Sequence, residues 1–295
     1  MGADAFELPP ELAIDTDVAR RVIAEFIRGQ LEQAGFEQVV LGLSGGIDSA
    51  WVGYLVAEAI GPGRLHAVLL PYRASSPASR ADAEMVVTAL GCSSEIIEIT
   101  AMVDGYFGTD GMPGAARRER SPASDLRRGN FAARMRMAVL YDRSVVRSGL
   151  VVGTGNKTES LIGYTTRFGD SACAFNPIGD LYKSQVRQLA VAIGVPDQIV
   201  RKAPTADLWP GQTDELEGGF SYPVLDRVLY WRIDKRRSVE EMVALGFDPA
   251  MIERVDRMVA GAEFKRQVPP VAKLGPRTAG VDYLYPRRRP GSARV

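Results

Sequence analysis

The chain has 295 residues, 46% of them hydrophobic, with 36 acidic and 36 basic side chains, enough apolar content for one large core or one core plus a small appendage. The even charge balance gives no global electrostatic case for binding nucleic acid or an acidic membrane. Two distant cysteines, Cys92 and Cys173, and a single histidine, His66, argue against a disulfide framework, a zinc site or a Ser-His or Cys-His triad.

In chain order, residues 16–35 read as an amphipathic helix with Val18, Val22, Ile23, Phe26, Ile27 and Leu31 on one face. The apolar pair Val39-Val40 then leads into Leu41-Gly-Leu-Ser-Gly-Gly-Ile-Asp-Ser-Ala50, and a helical period takes over from Ala50. A second strand is expected at Leu65–Leu70, where His66 reads as a satisfied strand histidine, followed by a turn at 71–77, a helix from Ser79 to Leu90 and a third strand from Glu95 to Ile99. Ala115–Arg128, with five arginines among Ser, Pro and Ala, reads as a mobile, solvated surface loop within an irregular stretch. Helical spacing resumes from Asn130 to Ser148, and Gly149–Gly153 is a fourth strand. Strands alternating with helices predict an α/β fold, a doubly wound parallel sheet covered by helices on both faces, with ligands outside the carboxyl ends of the strands. The Pro/Arg-rich segment 269–295 reads as an extended appendage to a single domain over residues 1–268. No segment approaches the ~20 apolar residues of a membrane span. The acidic start is not a signal peptide, so a cytoplasmic protein is expected.

The sequence around Ser44 has the form of a strand, a phosphate loop and a helix N-terminus. Glycines allow the backbone to approach an anion, amides at a helix start point at it, and the hydroxyls of Ser44 and Ser49 add donors. It lacks the Gly-Lys-Ser/Thr ending of a Walker A loop, which turns the reading away from γ-phosphoryl transfer. Ser44-Gly-Gly-Ile-Asp-Ser49 resembles the pyrophosphate loop of the ATP pyrophosphatases, which split ATP between its α- and β-phosphates and adenylate a substrate. Four further stretches, in the right order, resemble NAD synthetase: Val152-Gly-Thr-Gly-Asn-Lys-Thr-Glu159, Gly163-Tyr-Thr-Thr-Arg-Phe-Gly-Asp170, Asn176-Pro-Ile-Gly-Asp-Leu-Tyr-Lys-Ser-Gln185 and the run from Lys202 to Glu215. The resemblance extends from about residue 16 to Pro269.

The resemblance implies an ammonia-dependent ligase for deamido-NAD, with ATP as co-substrate, Mg²⁺ as cofactor, a homodimeric assembly and no nucleic-acid partner. The nicotinate carboxylate would attack the α-phosphate, and ammonia would displace AMP from the acyl adenylate. It assigns Ser44, Gly45, Gly46, Ile47, Asp48 and Ser49 to the ATP pyrophosphate, with Thr154, Lys183 and Thr205 as further ATP contacts. Asp48 and Glu159 would hold Mg²⁺ as hard oxygen ligands. Asp48, Asp170 and Lys183 are the catalytic candidates, Asp170 holding ammonium and taking its proton. Arg134, Arg167 and Lys265 would contact the dinucleotide, and the stretch after Thr205 would close as a lid that keeps water from the adenylate. Plainer roles fit some of these positions by pattern alone: helix-dipole acids for Asp48 and Glu159, a capping residue for Asp170, a solvated helix position for Lys183 and a surface ion pair for Arg134.

The chain departs from the family pattern on the acid-substrate side. Arg167 stands where lysine is common, Ala174 where an aspartate is expected, and Phe264 where a His-Lys pair would begin, leaving Lys265. Loss of a paired polar contact costs about 1–3 kcal/mol, so the site either compensates for these changes or serves a different carboxylate. Glutamine-using relatives carry a long amidase domain with a catalytic cysteine before the loop. Here 43 residues without cysteine precede Ser44, which points to free ammonia or a separate donor.

Overall fold

Apolar residues dominate both β1 (Gln38–Gly42) and β2 (Leu65–Leu69), and their alternate side chains go to opposite faces of a sheet. Val39, Leu41, Leu65, Ala67 and Leu69 enter one buried cluster, while Val40 and Val68 enter another. The computed structural model describes residues 8–107, 122–205, 219–279 and 281–282. In it, β1, β2, β3 (Ser93–Ile96) and β4 (Gly149–Val152) are all parallel, in the order β3-β2-β1-β4. A single bridge from Val152 to Phe175 adds to the β4 edge.

The helices are α1 (Thr16–Ala34), α2 (Ile47–Ile60), α3 (Pro77–Leu90), α4 (Thr100–Phe107), α5 (Pro122–Arg147), α6 (Lys157–Ile162), α7 (Lys183–Ile193), α8 (Asp197–Val200), α9 (Tyr222–Leu229), α10 (Val239–Ala244), α11 (Pro249–Gly261) and α12 (Glu263–Arg266). Residues of α1, α2, α3, α7 and α8 fill the first cluster, and those of α4 and α5 the second. Helices thus cover both faces, as the alternation of elements predicts. A third cluster joins Leu12, Ile162 and Tyr182 to α9, α10 and α11 beside the sheet. Because the chain runs β1, β2, β3 outward and returns to place β4 on the other side of β1, the strand order reverses between β1 and β4. A crevice opens at such a reversal.

Several boundaries differ from the expectation; β3 ends at Ile96 rather than Ile99, and α3 starts at Pro77 rather than Ser79. Helix α2 starts at Ile47, with Gly46 as N-cap, so Asp48 and Ser49 lie in its first turn. Strand β3 begins two residues early, where His66 faces it: the imidazole bonds Ser93 Oγ and Glu95 Oε1, both at 2.8 Å, which satisfies the buried ring. Helix α4 occupies part of the stretch read as irregular. Helix α5 begins at Pro122, so Arg127 and Arg128 are helical rather than in a loop. Proline suits a first helical turn, and Arg128 is tied to the buried Asp104 at 2.9 Å. Arg117, Arg118 and Arg120 lie outside the described residues. Beyond Pro269, the described residues are almost all exposed and form no helix.

Candidate active site

The crevice between β1 and β4 holds a cavity of about 540 Å³, within the range of small-molecule sites. Ser44, Gly46, Ile47, Asp48 and Ser49 line it from β1. Thr154 and Glu159 line it from β4, and Asp170, Lys183, Thr205 and Lys265 from the segments that follow. Val68, Leu70, Met137 and Leu140 give it an apolar wall. Three expected residues do not reach it: Gly45 packs against the start of α3, and Arg134 and Arg167 lie outside the lining. The lid expected over Ala206–Glu215 lies outside the described residues.

The loop is braced by its own serines. Ser49 Oγ accepts from Ser44 N at 3.2 Å and donates to Gly46 O at 3.1 Å, while Ser44 Oγ accepts from Gly46 N at 3.2 Å. The N-cap Gly46 offers no side-chain acceptor to the first turn of α2, so amides there remain available to an anion.

Next to the loop, Lys183 Nζ donates to Asp48 Oδ2 at 2.5 Å and lies 3.4 Å from Glu159 Oε1. The lysine is 3% exposed and its carboxylate partners 16% and 18%. Each member arrives by a different route: Asp48 in the first turn after β1, Glu159 in the first turn of α6 after β4, and Lys183 as the first residue of α7. Asp48 and Glu159, 135 and 24 positions from Lys183, therefore meet it at one point because the sheet brings two strand ends together. Asn156 fastens the arrangement. It caps α6 by accepting from Glu159 N at 3.0 Å, its own amide donates to Glu159 Oε2 at 3.2 Å, and its Nδ2 donates to Asp48 Oδ1 at 3.0 Å. We expect Asn156→Ala to lower unfolding free energy by about 1–2 kcal/mol, since it removes a capping box and a bond to Asp48. Urea unfolding checks this; an unchanged midpoint would refute it.

Two oxygen-donor carboxylates on adjacent strand ends fit Mg²⁺, which takes one or two protein carboxylates and completes its shell with water and phosphate. They do not fit a fully protein-ligated ion, and no cluster of three or more His, Cys, Asp or Glu side chains suited to a metal occurs among the described residues.

Asp170 accepts from Thr165 Oγ1 at 2.5 Å and from Thr166 N at 2.8 Å, so it organises a tight turn while facing the cavity. Lys265 Nζ donates to Gly163 O at 2.6 Å and Thr165 O at 2.8 Å; burial pushes its pKa down, opposed by the charge of Asp170. Arg134 donates to the Arg167 carbonyl at 3.3 Å. The Arg167 guanidinium lies 4.9 Å from the centre of Phe168 and 6.0 Å from that of Phe264, and donates to Gln267 O at 3.0 Å. Phe264 thus places an aromatic ring near the Arg167 guanidinium at the position where the resemblance led to the expectation of a polar residue. Ala174 contributes only its backbone amide, to Val151 O at 2.8 Å.

Sequence reasoning assigned no role to Lys202, which bridges Asp82 Oδ2 at 2.7 Å and Ser79 Oγ at 3.1 Å beside the loop glycine. It also passed over Asn156, although Asn followed three residues later by Glu is a capping-box signal.

The NAD synthase family model matches residues 19–269. An NH(3)-dependent NAD(+) synthetase of Trichlorobacter lovleyi is 47% identical over 276 residues, covering 94% of this chain and 97% of the relative. Among solved structures, the NMN synthetase of Francisella tularensis superposes with a TM-score of 0.75 at 27% identity, covering 88% of this chain and 99% of the other. The NH3-dependent NAD synthetase of Campylobacter jejuni does so with a TM-score of 0.72 at 32% identity, covering 88% and 100%.

Proposed function

From the fact that this chain belongs to the NAD synthase family, we propose that its site performs ammonia-dependent amidation of deamido-NAD at the expense of ATP, releasing AMP and pyrophosphate. The observation that carries the reading is the meeting of Asp48, Glu159 and Lys183 beside the open amides of the first turn of α2. A site so built neutralises and orients polyphosphate; it offers no side-chain nucleophile, and this reaction requires none.

The loop from Ser44 to Ser49 binds the β- and γ-phosphates as the leaving pyrophosphate, with Lys183 as a point charge and Thr154 and Thr205 as further ATP contacts. Asp48 and Glu159 would hold Mg²⁺, which when bound supplies electrostatic stabilisation of the phosphate charge. The substrate carboxylate oxygen bonds to the α-phosphorus as the bond to pyrophosphate breaks. Ammonia then attacks the acyl carbon, AMP leaves, and Asp170 orients the ammonium and takes a proton. Lys265 contacts the dinucleotide within the cavity, and Arg134 and Arg167, outside its lining, meet the part of the dinucleotide that extends beyond it. The apolar wall of Val68, Leu70, Met137 and Leu140 suits a base.

Residues 1–268 form the catalytic unit and 269–295 an extension. The protein works as a homodimer in the cytoplasm without a nucleic-acid partner. Support for self-association comes from the exposed apolar side chains Ile96 on β3, Met102 on α4 and Tyr141, Val145 and Val146 on α5. No helix among the described residues is long and apolar enough to cross a membrane.

The decisive assay supplies ATP, Mg²⁺, ammonium and deamido-NAD and follows NAD, AMP and pyrophosphate together. Equal yields are expected, with chelation by EDTA stopping all three and added Mg²⁺ restoring them; turnover that survives chelation would remove the metal assignment. The altered positions Ala174 and Phe264, with a structural relative named NMN synthetase, favour one second reading, a mononucleotide acid. Nicotinate mononucleotide outpacing deamido-NAD in the same assay would establish it.

A further inference from the structure

Beneath the Asp48–Glu159–Lys183 group lies a carboxylate that no part of the chemistry above uses. Asp226, on α9, is wholly buried. Its Oδ2 accepts from Ser184 N at 2.8 Å and Ser184 Oγ at 2.6 Å, and its Oδ1 from Thr158 Oγ1 at 2.6 Å. Thr158 Oγ1 in turn accepts from Lys183 N at 3.0 Å. The pattern is that of a helix cap supplied from another helix. The first amides of α7 have no partner within their own helix, and these two belong to Lys183 and Ser184. Asp226 takes one directly and the other through Thr158. Thr158 and Ser184 are the sequence neighbours of Glu159 and Lys183, so one carboxylate ties together the starts of both helices that carry the site. One turn earlier on the same face of α9, the buried Tyr222 ring lies 5.3 Å from Lys183 Nζ.

A buried carboxylate has a large desolvation cost, and burial raises the pKa of Asp226 against the opposing effect of the Ser184 and Thr158 bonds and the Lys183 charge. An apolar residue would fill this space at lower cost if only packing mattered. What an apolar residue cannot do is accept three hydrogen bonds at fixed angles from two helix starts.

The geometry points to Asp226 as a positioning residue: through Thr158 and Ser184 it sets the spacing and direction of Glu159 and Lys183 toward bound ATP. This inference rests on the reading of those two residues given above. Interactions one step removed from a site's ligands commonly govern 10–100-fold in affinity or activity.

The test uses the full chain. Asp226→Asn keeps the volume but presents an amide donor to one side that now receives donors. It should weaken ATP binding, measured by calorimetric titration without Mg²⁺, and lower the rate of pyrophosphate release by about 10–100-fold. The KM values for ammonium and the acid substrate should stay within about twofold, because their contacts lie elsewhere. Thr158→Val should reproduce part of the loss and Thr158→Ser should restore it. Should Asp226→Asn not fold, the Thr158 pair carries the test. Unchanged ATP affinity and rate, or a rate that falls only in proportion to the unfolded fraction while ATP affinity is retained, would overturn the proposal. An unaltered rate in Asp48→Asn would instead overturn the reading beneath it.

Discussion

Pyrophosphate release is expected to fall by about 10²–10³-fold in Asp48→Asn, with the fold retained, because the substitution removes one of the two anionic oxygen ligands that would hold Mg²⁺ against the departing pyrophosphate. Oδ1 of the native side chain accepts from Asn156 and Oδ2 from Lys183. An asparagine oxygen can keep the first bond, but its NH₂ then confronts the lysine ammonium, donor against donor. Lys183 retains Glu159 at 3.4 Å, so the buried cation is not stranded and the variant should fold. The effect therefore falls on polyphosphate binding and the leaving group. Following pyrophosphate under single-turnover conditions, with circular dichroism and thermal unfolding as controls, decides it. A folded variant releasing pyrophosphate at the native rate would end the assignment of Asp48 as a metal ligand.

That prediction began from a motif, and local motifs are the part of this molecule that sequence exposes best. The loop, the parallel sheet and the grouping of polar segments after β1, β2 and β4 follow from nearest-neighbour patterns: apolar runs, glycines and helical periods. The start of α2 was displaced because Ile47, Asp48 and Ser49 look like loop residues until Gly46 is seen to be an N-cap, after which they belong to the first turn. The start of α5 was displaced because arginine and small residues resemble a solvated run, whereas Arg128 is held by Asp104 and Tyr72, partners 24 and 56 residues away. Asp226 had no local signal at all. Its meaning depends on donors 42 and 68 positions distant, and a lone Asp in an amphipathic helix reads as a surface residue. On the acid-substrate side the resemblance leads one to expect polar residues where Ala174 and Phe264 stand. Only the structure shows that Phe264 lies beside the Arg167 guanidinium, a contact that can fix that charge in place of the lost donor.

Gly45→Ala should be as damaging as loss of Asp48, although Gly45 lies outside the cavity lining and its residue type contributes no polar group. Its φ of +79° is one that side chains rarely adopt, a conformational cost of about 1–2 kcal/mol for alanine. The added methyl would also overlap the Ser79 carbonyl oxygen and sit 2.9 Å from the carbonyl carbon. Both are backbone atoms in the first turn of α3, so no rotamer change relieves the contact. Either the loop or α3 must move. Movement of the loop breaks the Ser44–Ser49 brace and turns the amides from the phosphates, while movement of α3 pulls Ser79 and Asp82 from Lys202. We expect kcat/KM for ATP to fall by about 10²–10³-fold, since displacement of about 1 Å at a site built on positioning is enough for such a loss. Steady-state kinetics with ATP varied, beside urea unfolding, separates the two routes. Loop movement limits the loss of stability to about 1–2 kcal/mol with ATP binding lost, and α3 movement lowers stability further along with ATP binding. Native kinetics in Gly45→Ala would mean that the loop does not need this conformation to bind ATP, and the role given to its backbone amides would fall with it.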